Sequence, residues 1–204
     1  MIIKVVIASR NEHKIDEMRR ILDAAGLNLE LVGIKEFADL PDVEETGTTF
    51  AENALLKARA ICAFTGLPAI ADDSGLCVDA LNGMPGIFSA RWAGSHGDDR
   101  ANLELLLAQI SHLDPEHRTA AFHCAAAIAL PNGDEQVVEG IMTGRVIDVP
   151  RGANGFGYDP IFIADGYQIT TAQMDPADKD AISHRGRAIA ALAPVVSQLL
   201  SAAA

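Results

Sequence analysis

Short β-rich runs and stripes of apolar residues at helical spacing alternate along the chain of 204 residues, which is the pattern of an α/β protein. Ile2 to Ala8 reads as a strand. A helical stripe of Ile15, Met18, Ile21 and Leu22 then runs from Asn11 to Gly26, a residue suited to ending a helix. Leu29 to Ile34 reads as a second strand and Pro41 to Gly47 as an acidic loop. Thr49, Phe50, Ala51 and Glu52 form a capping box, which starts a helix that Gly66 and Pro68 end. Pro68 to Leu81 predicts a strand, a turn at the Asp-Asp-Ser-Gly run and a second strand, with Asn82 to Gly86 as a loop beyond it. Asp98 to Ile110 predicts a leucine-rich helix. Arg118 to Leu130 and Glu135 to Ile141 flank Pro131 to Asp134, whose Asn-Gly pair favours a tight turn; a hairpin is predicted there although the alanines of its first arm prefer helix. A glycine-rich loop, Gly152 to Gly157, precedes Pro160 and a short apolar strand, and Ser183 caps a final helix that Pro194 should kink. No repeat, low-complexity block or linker interrupts the chain, so residues 1–204 are expected to form one domain.

Composition narrows the function. Apolar residues make up 49% of the chain, ample for a core. A formal charge of -12 argues against a nucleic-acid partner, because such proteins gather Lys and Arg to displace counterions from phosphates. A small anionic substrate would need a local cationic pocket and a divalent metal to offset the field of an acidic protein. Cys62, Cys77 and Cys124 are odd in number and lack a Cys-x-x-Cys pair, which predicts free thiols and a reducing cytoplasm. The opening run is too short for a signal peptide, and the longest apolar run, Thr119 to Leu130, falls short of the ~20 residues that span a bilayer. No membrane partner is expected.

Five polar clusters carry the candidate chemistry. Asp72 and Asp73 follow the apolar stretch Leu67 to Ala71, and with Glu44 and Glu45 they supply the oxygen ligands that Mg²⁺ prefers; equally, Glu44-Glu45 reads as a solvated loop and Asp72-Asp73 as a turn. Ser9, Arg10 and Asn11 precede the first helix, whose unpaired N–H groups favour an anion or are simply capped by these residues, and Lys14 lies on the flank of its apolar stripe. On the second helix, Lys57 falls among Phe50, Ala54, Ile61 and Phe64 with Asn53 beside it, so the lysine points inward, either to snorkel or to meet phosphate. Phe156, Gly157, Tyr158 and Asp159 offer rings for base stacking and an acceptor, or a β-turn with a core aromatic. His184 and Arg185 follow the cap residue Ser183, where their donors can meet an anion or a carbonyl-rich ring, or stand as ordinary surface residues. Together the clusters predict a metal-assisted enzyme acting on a nucleotide polyphosphate. An aspartyl-phosphate phosphatase and a non-catalytic nucleotide sensor are the rival readings, although the former usually needs a second Asp two residues on, where Gly75 stands.

Taken in order, these segments resemble the inosine triphosphate pyrophosphatase family, the XTP/dITP diphosphatases. The resemblance is carried by Ala8-Ser9-Arg10-Asn11 with Lys14, by Glu44-Glu45-Thr46-Gly47 with Phe50, Asn53, Ala54 and Lys57, and by Ala71 to Leu76. Pro85 to Arg91, Phe122-His123-Cys124, Gly155 to Pro160 and Ser183-His184-Arg185 complete it. It implies a two-lobed ITPase-like α/β fold with a mixed central sheet flanked by helices and a substrate cleft between lobes, usually a homodimer. It further implies Mg²⁺-dependent cleavage of deaminated purine nucleoside triphosphates (ITP, dITP, XTP) to monophosphate and pyrophosphate. Asp73 is then the acidic catalytic residue and, with Glu44, the metal ligand. Ser9 to Lys14, Ser74 and Lys179 line the nucleotide site, and Phe156 to Asp159 with His184 and Arg185 complete the base pocket. Arg10 stands where the family commonly has glycine, and Gln173 where it has glutamate.

Overall fold

Strand alternation decides where the chemistry of this chain points. The computed structural model describes residues 3–40 and 42–202, so Ile2 and Pro41 of the expected strand and loop lie outside the described residues. The strands are β1 (Ile3–Ile7), β2 (Leu29–Gly33), β3 (Ala69–Val78), β4 (Met84–Pro85), β5 (Thr119–Ala129), β6 (Glu135–Val146) and β7 (Phe162–Ala164). The helices are α1 (Glu12–Ala24), α2 (Phe50–Thr65), α3 (Asp99–Gln109), α4 (Pro176–Ile182) and α5 (His184–Ala202), the last with Pro194 inside it. The sheet follows the order β2-β1-β3-β5-β6-β7, with β4 on β3. β1 lies parallel to β2 and β3, whereas β3 with β4 and β6 with β7 are antiparallel, which makes the sheet mixed as expected.

Two expectations need correction. The turn predicted at Asp72 to Gly75 does not form: β3 continues unbroken from Ala69 to Val78. Gly75 serves a close approach instead, since a Cβ there would lie 2.2 Å from the Gly86 carbonyl oxygen and 2.4 Å from Ser89 Oγ. The Leu76 N–H donates to that Ser89 hydroxyl (2.9 Å), which tightens the same contact. Helix α4 was not anticipated; Pro176 opens it, at the helical position where a missing N–H costs nothing. The hairpin of β5 and β6 does form, because burial of the alanine arm outweighs its local preference for helix.

The described chain divides into two compact units. The first takes Met1–Asp73, Cys124–Gly140 and Arg185–Ala204; the second takes Ser74–His123 and Ile141–His184. In the first unit, Val5, Ile7, Ile70, Cys124, Ala126 and Ile128 pack with Met18 and Leu22 of α1 and Ile189 and Leu192 of α5. The alternate residues, Val6, Ala69, Ala71, Ala125, Ala127 and Ala129, pack with Ala54, Ala58 and Ile61 of α2. Period-two alternation thus gives each strand one face for α1 and α5 and the other for α2. The second unit builds its own core from Leu76, Val78, Leu103, Leu106, Ile110, Phe122, Met142 and Phe162. Among the described residues no helix is long and apolar enough to cross a membrane.

Candidate active site

Asp72 and Asp73 are neighbours in sequence but not partners, because consecutive residues of β3 face opposite sides of the sheet. Asp72 continues the Ile70 face toward α1 and α5. Its Oδ2 takes the Lys14 ammonium at 3.1 Å and the Arg185 Nε at 3.1 Å. Arg185 is itself buried, and its Nη1 donates to the carboxylate of Glu17, a buried residue of α1. Burial alone would raise the Asp72 pKa, but the ammonium of Lys14 and the guanidinium of Arg185 outweigh it and hold the carboxyl well below the ordinary range. Cys124, next on the same face, has its thiol pushed up to about 12 by burial and by the Asp72 charge, so it stays neutral.

Asp73 continues the Ala69 and Ala71 face toward α2, and its environment differs. Lys57 reaches its Oδ1 at 3.1 Å and reaches Glu45 Oε1 at 2.7 Å, so one ammonium joins β3 to the acidic loop. Asn53, one turn earlier on α2, donates from its amide to Asp73 Oδ2 at 3.2 Å and accepts the Gly47 N–H at 2.8 Å. Burial raises the Asp73 pKa above the ordinary carboxyl value; Lys57 and Lys14 oppose that shift and Glu45 adds to it. Burial would lower the Lys57 pKa, but Asp73, Asp72 and Glu45 overturn that and raise it, so the lysine is charged. The inward position read for Lys57 on the helical wheel is the one it occupies.

The remaining predicted residues of the first unit divide. Asn11 caps α1, its side-chain oxygen accepting the Lys14 N–H at 3.3 Å, and Ser9 Oγ accepts the Asn11 N–H at 3.2 Å. Arg10 turns away to the acidic loop, with Nη2 at 2.8 Å from Asp42 and 3.3 Å from the Leu40 carbonyl oxygen. Glu44 is exposed; Glu45, half-buried, is the residue that shares Lys57 with Asp73. The carboxylate chemistry suits a hard cation. Among the described residues no three His, Cys, Asp or Glu side chains gather to hold a metal by themselves.

In the second unit, Asp159 is a buried hub. Its Oδ2 accepts the Phe156 N–H at 2.9 Å and the Lys179 ammonium at 2.6 Å, and its Oδ1 accepts the Thr171 hydroxyl at 2.8 Å. Gly155, with φ of 72°, passes so close that a Cβ would lie 2.1 Å from Asp159 Oδ2. The loop is fixed again where the Gly157 N–H donates to Asp99 Oδ2 at 2.7 Å. Phe156 is half-buried with the Lys179 ammonium 5.4 Å from its ring centroid. Tyr158 is a core aromatic, its hydroxyl donating to the Ser89 carbonyl oxygen at 2.9 Å, so of the two rings offered for stacking only Phe156 is partly exposed. His184 is buried and stacks on Phe122 with centroids 4.7 Å apart. Ser74 is half-buried in β3 directly after Asp73. Arg185 does not project from its helix start as expected, because Asp72 and Glu17 turn its donors inward.

From sequence alone no role falls to Glu17, Asn53 or Asp99. Asn53 had a signal, its place beside Lys57 on the inward face of α2. Glu17 had a weaker one, a charge three positions after Lys14 on α1. Asp99 had none, since its contact with Gly157 spans 58 residues of chain.

The profile of the Ham1 family matches residues 5–195. The dITP/XTP pyrophosphatase of Streptomyces coelicolor is 60% identical over 197 residues, covering 97% of this chain and 98% of that protein. That of Mycobacteroides abscessus is 51% identical over 199 residues, 97% of each. Among solved structures, a HAM1 protein from Coxiella burnetii superposes with a TM-score of 0.86 at 43% identity, covering 97% of this chain and all (100%) of the other. The nucleoside-triphosphatase / dITP/XTP pyrophosphatase from Mycobacterium abscessus gives 0.76 at 52% identity over 95% of this chain and 100% of that one. Near-complete coverage, high identity and a shared α/β architecture lead to one conclusion: the chain belongs to the Ham1 family.

Proposed function

We propose that this protein hydrolyses deaminated purine nucleoside triphosphates, dITP, XTP and ITP, to the monophosphate and pyrophosphate with Mg²⁺, as a cytoplasmic homodimer that clears these nucleotides from the pool. The names of its relatives support the substrate class. The observation that carries the chemistry is Asp73, a buried carboxyl of raised pKa fixed by Lys57 and Asn53. A carboxylate of raised pKa is a stronger base than a free one, and Asp73 would take the proton of the attacking water. Lys57, charged and shared with Glu45, is the cation that meets phosphate oxygens, and the capped start of α1 with Lys14 offers further donors. Asp73 and Glu44 would hold the metal, Glu44 being the loop carboxylate that faces solvent. When bound, Mg²⁺ would neutralise charge on the departing pyrophosphate. The partly exposed ring of Phe156 suits stacking of the purine, with Lys179 beside it.

The test is a panel of nucleoside triphosphates assayed for pyrophosphate and for phosphate in Mg²⁺. Pyrophosphate release from dITP and XTP is expected, and Asp73→Asn should lower kcat by roughly 10² to 10⁴-fold in a folded protein. Phosphate as the first product would favour an aspartyl-phosphate route. Tight binding without turnover would reduce the protein to a sensor.

A further inference from the structure

We infer that Asn53 is a positioning residue that keeps the acidic loop and the Asp73 carboxylate in register for the reaction proposed above, a reading on which this inference rests. Asn53 is fully buried in the second turn of α2, where asparagine is a poor helix former and an unsatisfied amide would be costly. The amide is retained with both ends occupied: its oxygen takes the Gly47 N–H and its nitrogen the Asp73 Oδ2. Lys57, four residues on and so on the same face of α2, takes the other oxygen of Asp73. Two donors from one helix face therefore fix the rotation of that carboxylate. The loop side of the device is Gly47. Its backbone is not left-handed, yet a Cβ there would lie 2.6 Å from Asn53 Oδ1 and 2.7 Å from Glu52 Cβ, so glycine is needed for room rather than for conformation. Glu44 and Glu45 lie just before that contact, and Asn53 thus ties the loop that carries them to Asp73 by two hydrogen bonds, of 2.8 and 3.2 Å.

Groups that orient a reacting carboxylate or metal ligand typically cost about 10 to 100-fold in activity or metal affinity when removed. Asn53→Ala is expected to lower kcat for pyrophosphate release from dITP by that order, with KM for the nucleotide changed by less than about threefold. Binding of Mn²⁺, used as a paramagnetic substitute for Mg²⁺, to the nucleotide-free protein should weaken several-fold by electron paramagnetic resonance. Asn53→Asp keeps the volume and the acceptor for Gly47 but faces Asp73 with a second carboxylate, and it should lose kcat to a similar degree. That variant decides the question if Asn53→Ala does not fold. Either folded variant with kcat within about threefold of wild type would overturn the inference, whatever its melting temperature, because a packing role moves stability and leaves kcat in place. If wild type itself releases no pyrophosphate, the functional reading falls first. Mn²⁺ affinity equal in wild type and Asn53→Ala would then overturn the inference separately.

Discussion

Arg185 shows how much one side chain commits. Its guanidinium is the link between Asp72 of β3 and Glu17 of α1, all three buried. Removing one partner of a buried ion pair leaves uncompensated charge, which costs about 3 to 5 kcal/mol. Arg185→Ala is therefore expected to lose stability of that order in urea denaturation at pH 7, and a loss under about 1 kcal/mol would show that the network is not built this way. The consequence reaches selectivity. The sequence argument had Arg185 donating to the C6 oxygen of the base, yet its Nε and Nη1 are spent on carboxylates. Arg185→Lys is the more informative variant for substrate preference, since it keeps the charge beside Asp72 while removing the planar fork that serves two carboxylates at once.

At the scale of elements, α2 was the most legible. Its capping box was readable in Thr49 and Glu52, and both reciprocal bonds form, with Glu52 Oε2 also accepting the Thr48 N–H at 2.6 Å and the Thr48 hydroxyl at 2.9 Å. Because this cap closes the acidic loop against the helix that carries Asn53 and Lys57, Glu52→Ala should do more than fray a terminus. We expect a stability loss of about 0.5 to 2 kcal/mol by thermal or chemical denaturation. Activity should fall with it, and unchanged kcat would mean that the loop holds its place without the cap. The same reading failed at β3. Asp-Asp-Ser-Gly has the composition of a turn, but a strand flanked by β1 and β5 is held by its ladders, and Gly75 is there to let Gly86 and Ser89 approach. Local composition could not reveal a contact made 11 or 14 residues later. Helix α4 was missed for a simpler reason, since seven residues, Pro176–Ile182, are too few to show a helical period.

At the scale of the whole molecule, the parts of the site that sequence could give were those within one helix or loop, such as the inward Lys57 and the Asn11 cap. The parts it could not give join distant residues: Arg185 meets Asp72 across 113 positions and Glu17 across 168, and no spacing rule predicts such pairs. Charge is the one global property that sequence gives outright, and it leads to a last prediction. With a formal charge of -12, the protein repels a triphosphate at long range, while the cations of the site, Lys14 and Lys57 among them, attract it only at short range. Salt distinguishes the two by distance. The screening length falls from about 30 Å at 0.01 M to about 10 Å at 0.1 M, so added salt removes the distant repulsion first and leaves contacts of a few ångströms nearly intact. At fixed Mg²⁺ and dITP well below KM, kcat/KM is therefore expected to rise roughly two- to fivefold as KCl increases across that range. A steady fall from the lowest salt onward would show the opposite, that the local cations govern the approach and the acidic surface is too remote to matter.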